Sequence, residues 1–158
     1  MAKVRRRIII AGLIGYLLML VWVILFHATL QTLNTAFDPI FRSINLSLYF
    51  NGRESLLNML IFVPVGLYFG ALFERRRIYK NLAMIAAISL LFEAMQYAFA
   101  LGSTDIMDLI NNSTGGFAGL AICAMARNIL KEHFNKAAVI ATILITLFSA
   151  AVLIFAPI

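Results

Sequence analysis

The sequence predicts an all-α membrane protein: a polytopic bundle of about five transmembrane helices, with its N-terminus inside and its C-terminus outside. Three observations predict this fold. Of the 158 residues, 63% are apolar and only 13% are charged, whereas a soluble domain carries roughly 25% charged residues. The apolar residues fall into five runs, and the basic residues lie between those runs. A single domain over residues 1–158 is the expectation for this length.

Each apolar run is long enough to cross a bilayer as a helix. A run of about 18–20 residues extends roughly 27–30 Å, which matches the hydrocarbon core. Because the runs are continuous, they exclude a strand barrel, which needs alternating polarity. The first run also exceeds the roughly 7–15 apolar residues of a signal peptide, and no cleavage pattern follows it. The predicted spans are Ile8–Phe26, Leu56–Phe73, Leu82–Leu101, Leu109–Ala126 and Ala137–Phe155.

The basic residues predict the orientation of these spans. With the N-terminus inside, 11 of the 13 basic residues lie on the inner side, and only Arg42 and Arg53 lie outside. Cytoplasmic loops carry this excess of lysine and arginine. Because the basic residues sit in short runs beside apolar segments, the partners that they predict are membrane lipids, and no nucleic acid. A lone cysteine, Cys123, excludes an internal disulfide and a cysteine-based zinc site.

The predicted loops differ in length. Glu74–Asn81 and Arg127–Lys136 are short and basic, and the outer loop Gly102–Met107 is so short that the third and fourth spans form an antiparallel hairpin. The outer loop Ala28–Ser55 is the long one, and it mixes apolar and polar residues. It suits an amphipathic segment at the membrane interface, and an ordered loop without a functional role suits it equally.

The third span contains a carboxylate where lipid is expected. An ionised carboxylate near the centre of a span costs about 2.5–3.5 kcal/mol, so Glu93 must have polar partners or carry a proton. Ser89, Gln96 and Tyr97 lie four residues before, three after and four after it, on the same helical face. This polar stripe is predicted to face the interior of the bundle.

Polar residues of the neighbouring spans lie at a similar depth. Asp105 and Asp108 stand where the fourth span begins, a position at which the helix dipole favours negative charge. Together these residues predict an outward-facing ligand pocket; capping and interhelical hydrogen bonds are the structural alternatives. The candidate ligand-binding residues are Asn58, Glu93, Gln96, Asp105, Asp108 and Asn112. We predict no cofactor and no metal site.

Glycine and proline mark sites of close helix contact. Pro64 frees the Leu60 carbonyl from its helical hydrogen bond and favours a kink in the second span. The pairs Gly66–Gly70 and Gly115–Gly119 have the four-residue spacing that lets another helix approach closely.

Three motifs in sequence order resemble the VanZ-like family of bacterial membrane proteins. The segment Asn58-x-x-x-Phe62-x-Pro64-x-Gly66 is similar to that family's N-x-x-x-F-x-P-x-G signature. Ser89-x-x-x-Glu93-x-x-Gln96 and Asp105-x-x-Asp108-x-x-x-Asn112-x-x-Gly115 resemble its next two elements. The motifs lie within residues 58–119. Family members often have an arginine shortly before the two aspartates, whereas Leu101 to Thr104 contains none.

The resemblance implies a multi-pass protein of the bacterial cytoplasmic (inner) membrane, in a family whose named member is linked to teicoplanin resistance. Three functions fit the residues. One is binding or modifying a lipid-linked envelope precursor or lipophilic antibiotic at the outer leaflet. The alternatives are a small proton-coupled transporter and a structural or assembly subunit of a membrane complex. Glu93 with Asp108 would suit an acid–base pair, but no nucleophile with an adjacent base is visible, so no catalytic residue is assigned.

Overall fold

A computed structural model describes residues 2–23, 43–49, 51–73, 78–100 and 103–155 of the chain. In these ranges the protein is almost entirely helical, with one pair of short strands between the helices. The elements are α1 (Ala2–Trp22), β1 (Ser43–Asn45), α2 (Gly52–Leu72), α3 (Ile78–Ala98), β2 (Ser103–Asp105), α4 (Ile106–Leu130) and α5 (Phe134–Phe155).

Three helical stretches of the described residues are long and apolar enough to cross a membrane. They are Gly52–Leu72, Ile78–Ala98 and Ile106–Ala151, and the last contains both α4 and most of α5. The helical membrane architecture is therefore confirmed. The count of five spans and their orientation stay predictions, and the end of the first predicted run, residues 24–26, lies outside the described residues.

The helices are longer than the apolar runs that predicted them. Helix α2 begins at Gly52, four residues before its apolar run, and α4 continues to Leu130. An apolar run reflects the thickness of the hydrocarbon core, and a helix continues past it into the polar interface. For this reason the predicted loop Arg127–Lys136 is wrong: only Lys131–His133 forms a 3₁₀ turn between α4 and α5. Lys131 ends α4 with a left-handed backbone, φ 43°.

The two strands are the feature that an all-α prediction misses. β1 and β2 pair in parallel, with Ser43 opposite Ser103 and Asn45 opposite Asp105. The long loop before α2 therefore crosses over to the short connection between α3 and α4. Its earlier part, residues 28–42, lies outside the described residues. The interfacial segment predicted for Ala28–Ser55 is therefore described only in its later part, and it stays a prediction.

Helix α2 packs most extensively against α4, and glycines make this contact possible. A Cβ atom added to Gly66 would overlap the Gly116 carbonyl oxygen, and one added to Gly119 would overlap the Val63 carbonyl oxygen. Gly115 is equally close to the Met59 carbonyl oxygen. The two backbones therefore touch directly, as the small-residue spacing predicts for a close helix pair.

The remaining helices surround this pair. Helix α5 packs mainly against α1, and α3 packs against α4. The Tyr16 hydroxyl of α1 donates a 2.7 Å hydrogen bond to the Ile61 carbonyl of α2. That carbonyl is one residue beyond Leu60, whose helical partner Pro64 has no N–H to give. Neighbouring helices commonly satisfy carbonyls near a proline in this way.

Candidate functional site

Glu93 lies inside the bundle, with only 3% of its surface exposed. One of its carboxylate oxygens, Oε2, accepts a 3.0 Å hydrogen bond from the backbone N–H of Asp105. The Thr104 hydroxyl donates to the Glu93 backbone carbonyl at 3.3 Å. Glu93 thus holds the start of α4 against α3. It does not face lipid.

Asp105 joins three elements. Its Oδ1 accepts a 2.8 Å hydrogen bond from the Met107 N–H and so caps the N-terminus of α4. Its Oδ2 accepts a 2.8 Å hydrogen bond from the Asn45 side chain, on β1. Because its own N–H donates to Glu93, Asp105 connects the strand pair, α3 and α4. The capping role that the sequence offered for Asp105 is therefore present.

Two further hydrogen bonds extend the cluster, one toward the N-terminal ends of α2 and α4 and one deeper into the bundle. Near the N-terminal ends of α2 and α4, the Asn58 amide donates to the Asp108 carboxylate, and both residues are half-buried. Deeper in the bundle, the buried Asn112 amide donates to the Ser89 hydroxyl at 2.9 Å. Helices α2, α3 and α4 each contribute polar side chains to this polar cluster.

The polar cluster is rich in carboxyl groups. Glu93 interacts electrostatically with Asp105 and Asp108, and Asp108 interacts in turn with the exposed Glu54. The hydrogen bonds described for the three inner carboxylates all come from amide N–H groups. The amides of Asn45 and Asn58 thus donate hydrogen bonds to the two aspartates. VanZ-like proteins often have an arginine shortly before these aspartates, and this sequence has none there.

Four of the six candidate residues bond one another in pairs, and a fifth, Asn112, bonds a neighbouring serine. Asn58 bonds Asp108, Glu93 bonds Asp105, and Asn112 bonds Ser89. Gln96 is half-buried on the same helix as Glu93, one turn nearer its C-terminal end. Ligand binding by this set stays a prediction. In the described part of the chain, no three His, Cys, Asp or Glu side chains are arranged to hold a metal ion.

Sequence reasoning missed Asn45 and Thr104. Asn45 lies 60 residues from the aspartate that it bonds, in a loop without helical periodicity, so no spacing rule connects the two. Thr104 directly precedes Asp105 and belongs to none of the three motifs. The available signal was weak: an asparagine in the long predicted outer loop, on the same side of the membrane as the charged start of the fourth span.

We expect Asp105→Ala to destabilise the protein by about 1–3 kcal/mol. The substitution removes a helix cap, worth about 0.5–2 kcal/mol, together with the hydrogen bond from Asn45, worth about 0.5–1.5 kcal/mol. Asp105→Asn is the matched control, because asparagine caps a helix as well as aspartate does. Unfolding of both variants with a denaturing detergent measures the difference. Equal losses would show that capping contributes little here.

Comparison with known proteins extends the similarity beyond the three motifs. The VanZ/LLP1 family model matches residues 13–131, which adds the later half of α1, the long loop before α2 and the end of α4. The chain is 35% identical over 134 residues to Protein VanZ of Enterococcus faecium, covering 82% of this chain and 80% of that protein. No solved structure is significantly similar to this chain. With a family model spanning most of the chain and a relative aligned over four fifths of it, this membrane protein belongs to the VanZ/LLP1 family.

Proposed function

We propose that the protein binds, or modifies, a lipid-linked envelope component or lipophilic antibiotic at the outer leaflet of the bacterial cytoplasmic membrane. The proposal includes five spans with the N-terminus inside, because this orientation places the polar cluster on the outer side. One observation carries the proposal: buried Glu93 lies in a hydrogen-bonded cluster built from three helices and a strand. A polar residue inside a membrane protein is costly, and it commonly marks a functional site.

The chemistry of the cluster favours one kind of ligand. Carboxylates and amide carbonyls accept hydrogen bonds, so they select hydroxyl, amine and amide N–H groups. The negative charge of Glu54, Glu93, Asp105 and Asp108 disfavours a bare phosphate. Asn58 and Asp108 are half-buried, whereas Glu93 and Asn112 are buried, so a ligand would meet this pair before it reached Glu93. A polar head rich in donors, attached to an apolar tail, satisfies both the cluster and the surrounding lipid.

The transport hypothesis is less well supported by the same structure. A proton path along α3 would continue from Glu93 and Ser89 toward Asn81, the buried polar residue near the other end of the helix. Between them lies Ile85, fully buried and in contact with the helix backbone near Gly116. Along the described residues of α3 the polar stripe is therefore interrupted by an apolar layer.

The assembly hypothesis loses its main argument as well. Small-residue faces suggested a surface for a partner helix, but Gly66, Gly115 and Gly119 contact backbone within the same chain. Gly70 likewise meets the Cys123 side chain. These glycines are occupied by internal packing, so they do not provide a free surface for a partner.

Binding of teicoplanin to the purified chain in lipid nanodiscs tests the proposal. We expect a fluorescent derivative to bind, its deacylated form to bind more weakly, and Asp108→Asn to weaken binding by about 10-fold or more. That loss corresponds to one hydrogen bond to a charged group, about 1.5–3 kcal/mol. A labelled lipid-linked muropeptide precursor is the second probe.

Thr114→Val is the matched control for this experiment. Thr114 is exposed on the same helix, and its hydroxyl donates only to the Ile110 carbonyl one turn before it. The variant should bind like the parent. Equal binding by Asp108→Asn and Thr114→Val, or binding of neither probe to the parent, would refute the proposed role of the cluster.

A further inference from the structure

A second candidate site lies at the opposite end of the bundle from the polar cluster. A partly open cavity of about 240 Å³ is lined by α2, α4 and α5, near the turn that joins the last two helices. Its walls are apolar, and alanines form the side contributed by α5. The residues that matter below are Tyr68, Ala71, Phe134, Ala138 and Ala141.

Tyr68 forms part of the cavity wall. Tyr68 is 2% exposed, and its hydroxyl has no hydrogen-bond partner among the described residues. It lies near the Thr146 hydroxyl, which donates its own hydrogen to the Thr142 carbonyl at 2.8 Å. Buried hydroxyl groups are almost always hydrogen-bonded. This hydroxyl has almost no accessible surface, so the apolar walls of the cavity select the ligand and favour an apolar molecule.

Positive charge lies beside the cavity. A groove of about 290 Å³ between α1 and the end of α2 is lined by Lys3, Arg5 and Arg6 above an apolar floor. Ala71 borders both the groove and the cavity. On the other side of α2, Arg127 donates to the Gly70 carbonyl at 2.8 Å and lies 4.3 Å from the centre of the Phe134 ring. An apolar cavity thus adjoins a basic groove.

We propose that the protein holds one anionic phospholipid here, with its headgroup on Lys3, Arg5 and Arg6 and one acyl chain in the cavity. The volume is below the roughly 300–1,000 Å³ of drug-sized ligand sites, so it suits part of a lipid and not a whole bulky ligand. A free phosphate would use only the groove, and a neutral lipid only the cavity. Anionic phospholipid supplies both the charge and the chain.

This site goes beyond the proposed function and uses none of the residues of the polar cluster. Under the proposed topology it faces the cytoplasmic leaflet, whose anionic lipids attract basic segments next to a membrane helix. Its acyl chain would fill a gap between α2, α4 and α5 that side chains leave open. The bound lipid would therefore act as a structural part of the bundle.

Native mass spectrometry of the full chain tests the proposal with two lipids of identical acyl chains, phosphatidylglycerol and phosphatidylcholine. We expect one phosphatidylglycerol to be retained under conditions that remove phosphatidylcholine. Arg5→Gln with Arg6→Gln should weaken retention about five-fold for each charge removed. Lys131→Gln with Lys136→Gln removes equal charge away from the groove and should have no such effect.

Variants that fill the cavity test the acyl-chain site independently of the charged groove. Ala141→Phe should weaken retention about five-fold or more through overpacking, whereas Ala150→Phe, exposed on the same helix and outside the cavity, should not. Equal retention of the two lipids, or equal effects of the paired variants, would overturn the assignment. Thermal unfolding without added lipid checks that each variant is folded.

Discussion

Gly119→Ala is expected to destabilise the protein by about 3 kcal/mol or more. The added methyl group would overlap the Val63 carbonyl oxygen and would lie 2.9 Å from the Gly66 Cα atom. Overpacking usually costs about 1–3 kcal/mol because side chains move aside. Here the obstacle is the backbone of α2, so the two helices must separate along their whole contact.

Gly15→Ala is the matched control for this prediction. Gly15 lies in α1, and no atom is within 4 Å of the position that its Cβ would occupy. Alanine is the better helix former, so this change should raise stability by about 0.4–1 kcal/mol. Titration of both purified variants with a denaturing detergent, followed by near-ultraviolet circular dichroism, gives the two free energies of unfolding. Similar values for the pair would contradict direct backbone contact between α2 and α4.

Glu93→Leu and Glu93→Gln are expected to separate the structural role of Glu93 from its proposed binding role. Leucine leaves the Asp105 N–H without its acceptor, and an unsatisfied buried donor costs about 1–3 kcal/mol. Glutamine retains a carbonyl oxygen at the same place, so its free energy of unfolding should stay within about 1 kcal/mol of the parent. Both variants should insert into the membrane, since neither adds charge.

Binding should respond differently from stability. If the negative charge of Glu93 contacts a ligand, Glu93→Gln loses affinity for the lipophilic probe by about 10-fold while it remains folded. Unchanged binding by a folded Glu93→Gln protein would assign Glu93 to packing alone. Loss of folded protein with glutamine would show instead that the carboxylate itself is needed to position Asp105.

Local rules predicted the helices and much of the polar cluster. The length of an apolar run reflects the thickness of the bilayer, so it predicted the helices. Helical spacing placed Ser89 on the same face as Glu93, and in the structure Ser89 accepts a hydrogen bond from Asn112. Capping preference placed Asp105 at the start of α4. The pairing of β1 with β2 was not predictable in this way, because three-residue strands have no periodicity and their partner lies 60 residues away.

Glycine spacing predicted only one part of the contact between α2 and α4. It predicted that Gly66 and Gly119 lie at a close helix crossing, but it could not say which helices cross. The structure packs α2 mainly against α4 and much less against α3, the next helix in sequence. Such a choice depends on the fit of whole surfaces, which no single motif encodes.

The pairing of α2 with α4 also sets an order of events during protein synthesis. Gly66 leaves the ribosome 50 residues before Gly116, an interval of about 3–10 s at usual elongation rates. Throughout that time α2 has no partner for its glycine face, and Asn58 has no carboxylate to receive its amide hydrogen. Translation must supply α4 before the first half of the chain reaches its final packing. A chain truncated within α4 would therefore leave α2 without its principal contact, even though every residue of α2 had been made.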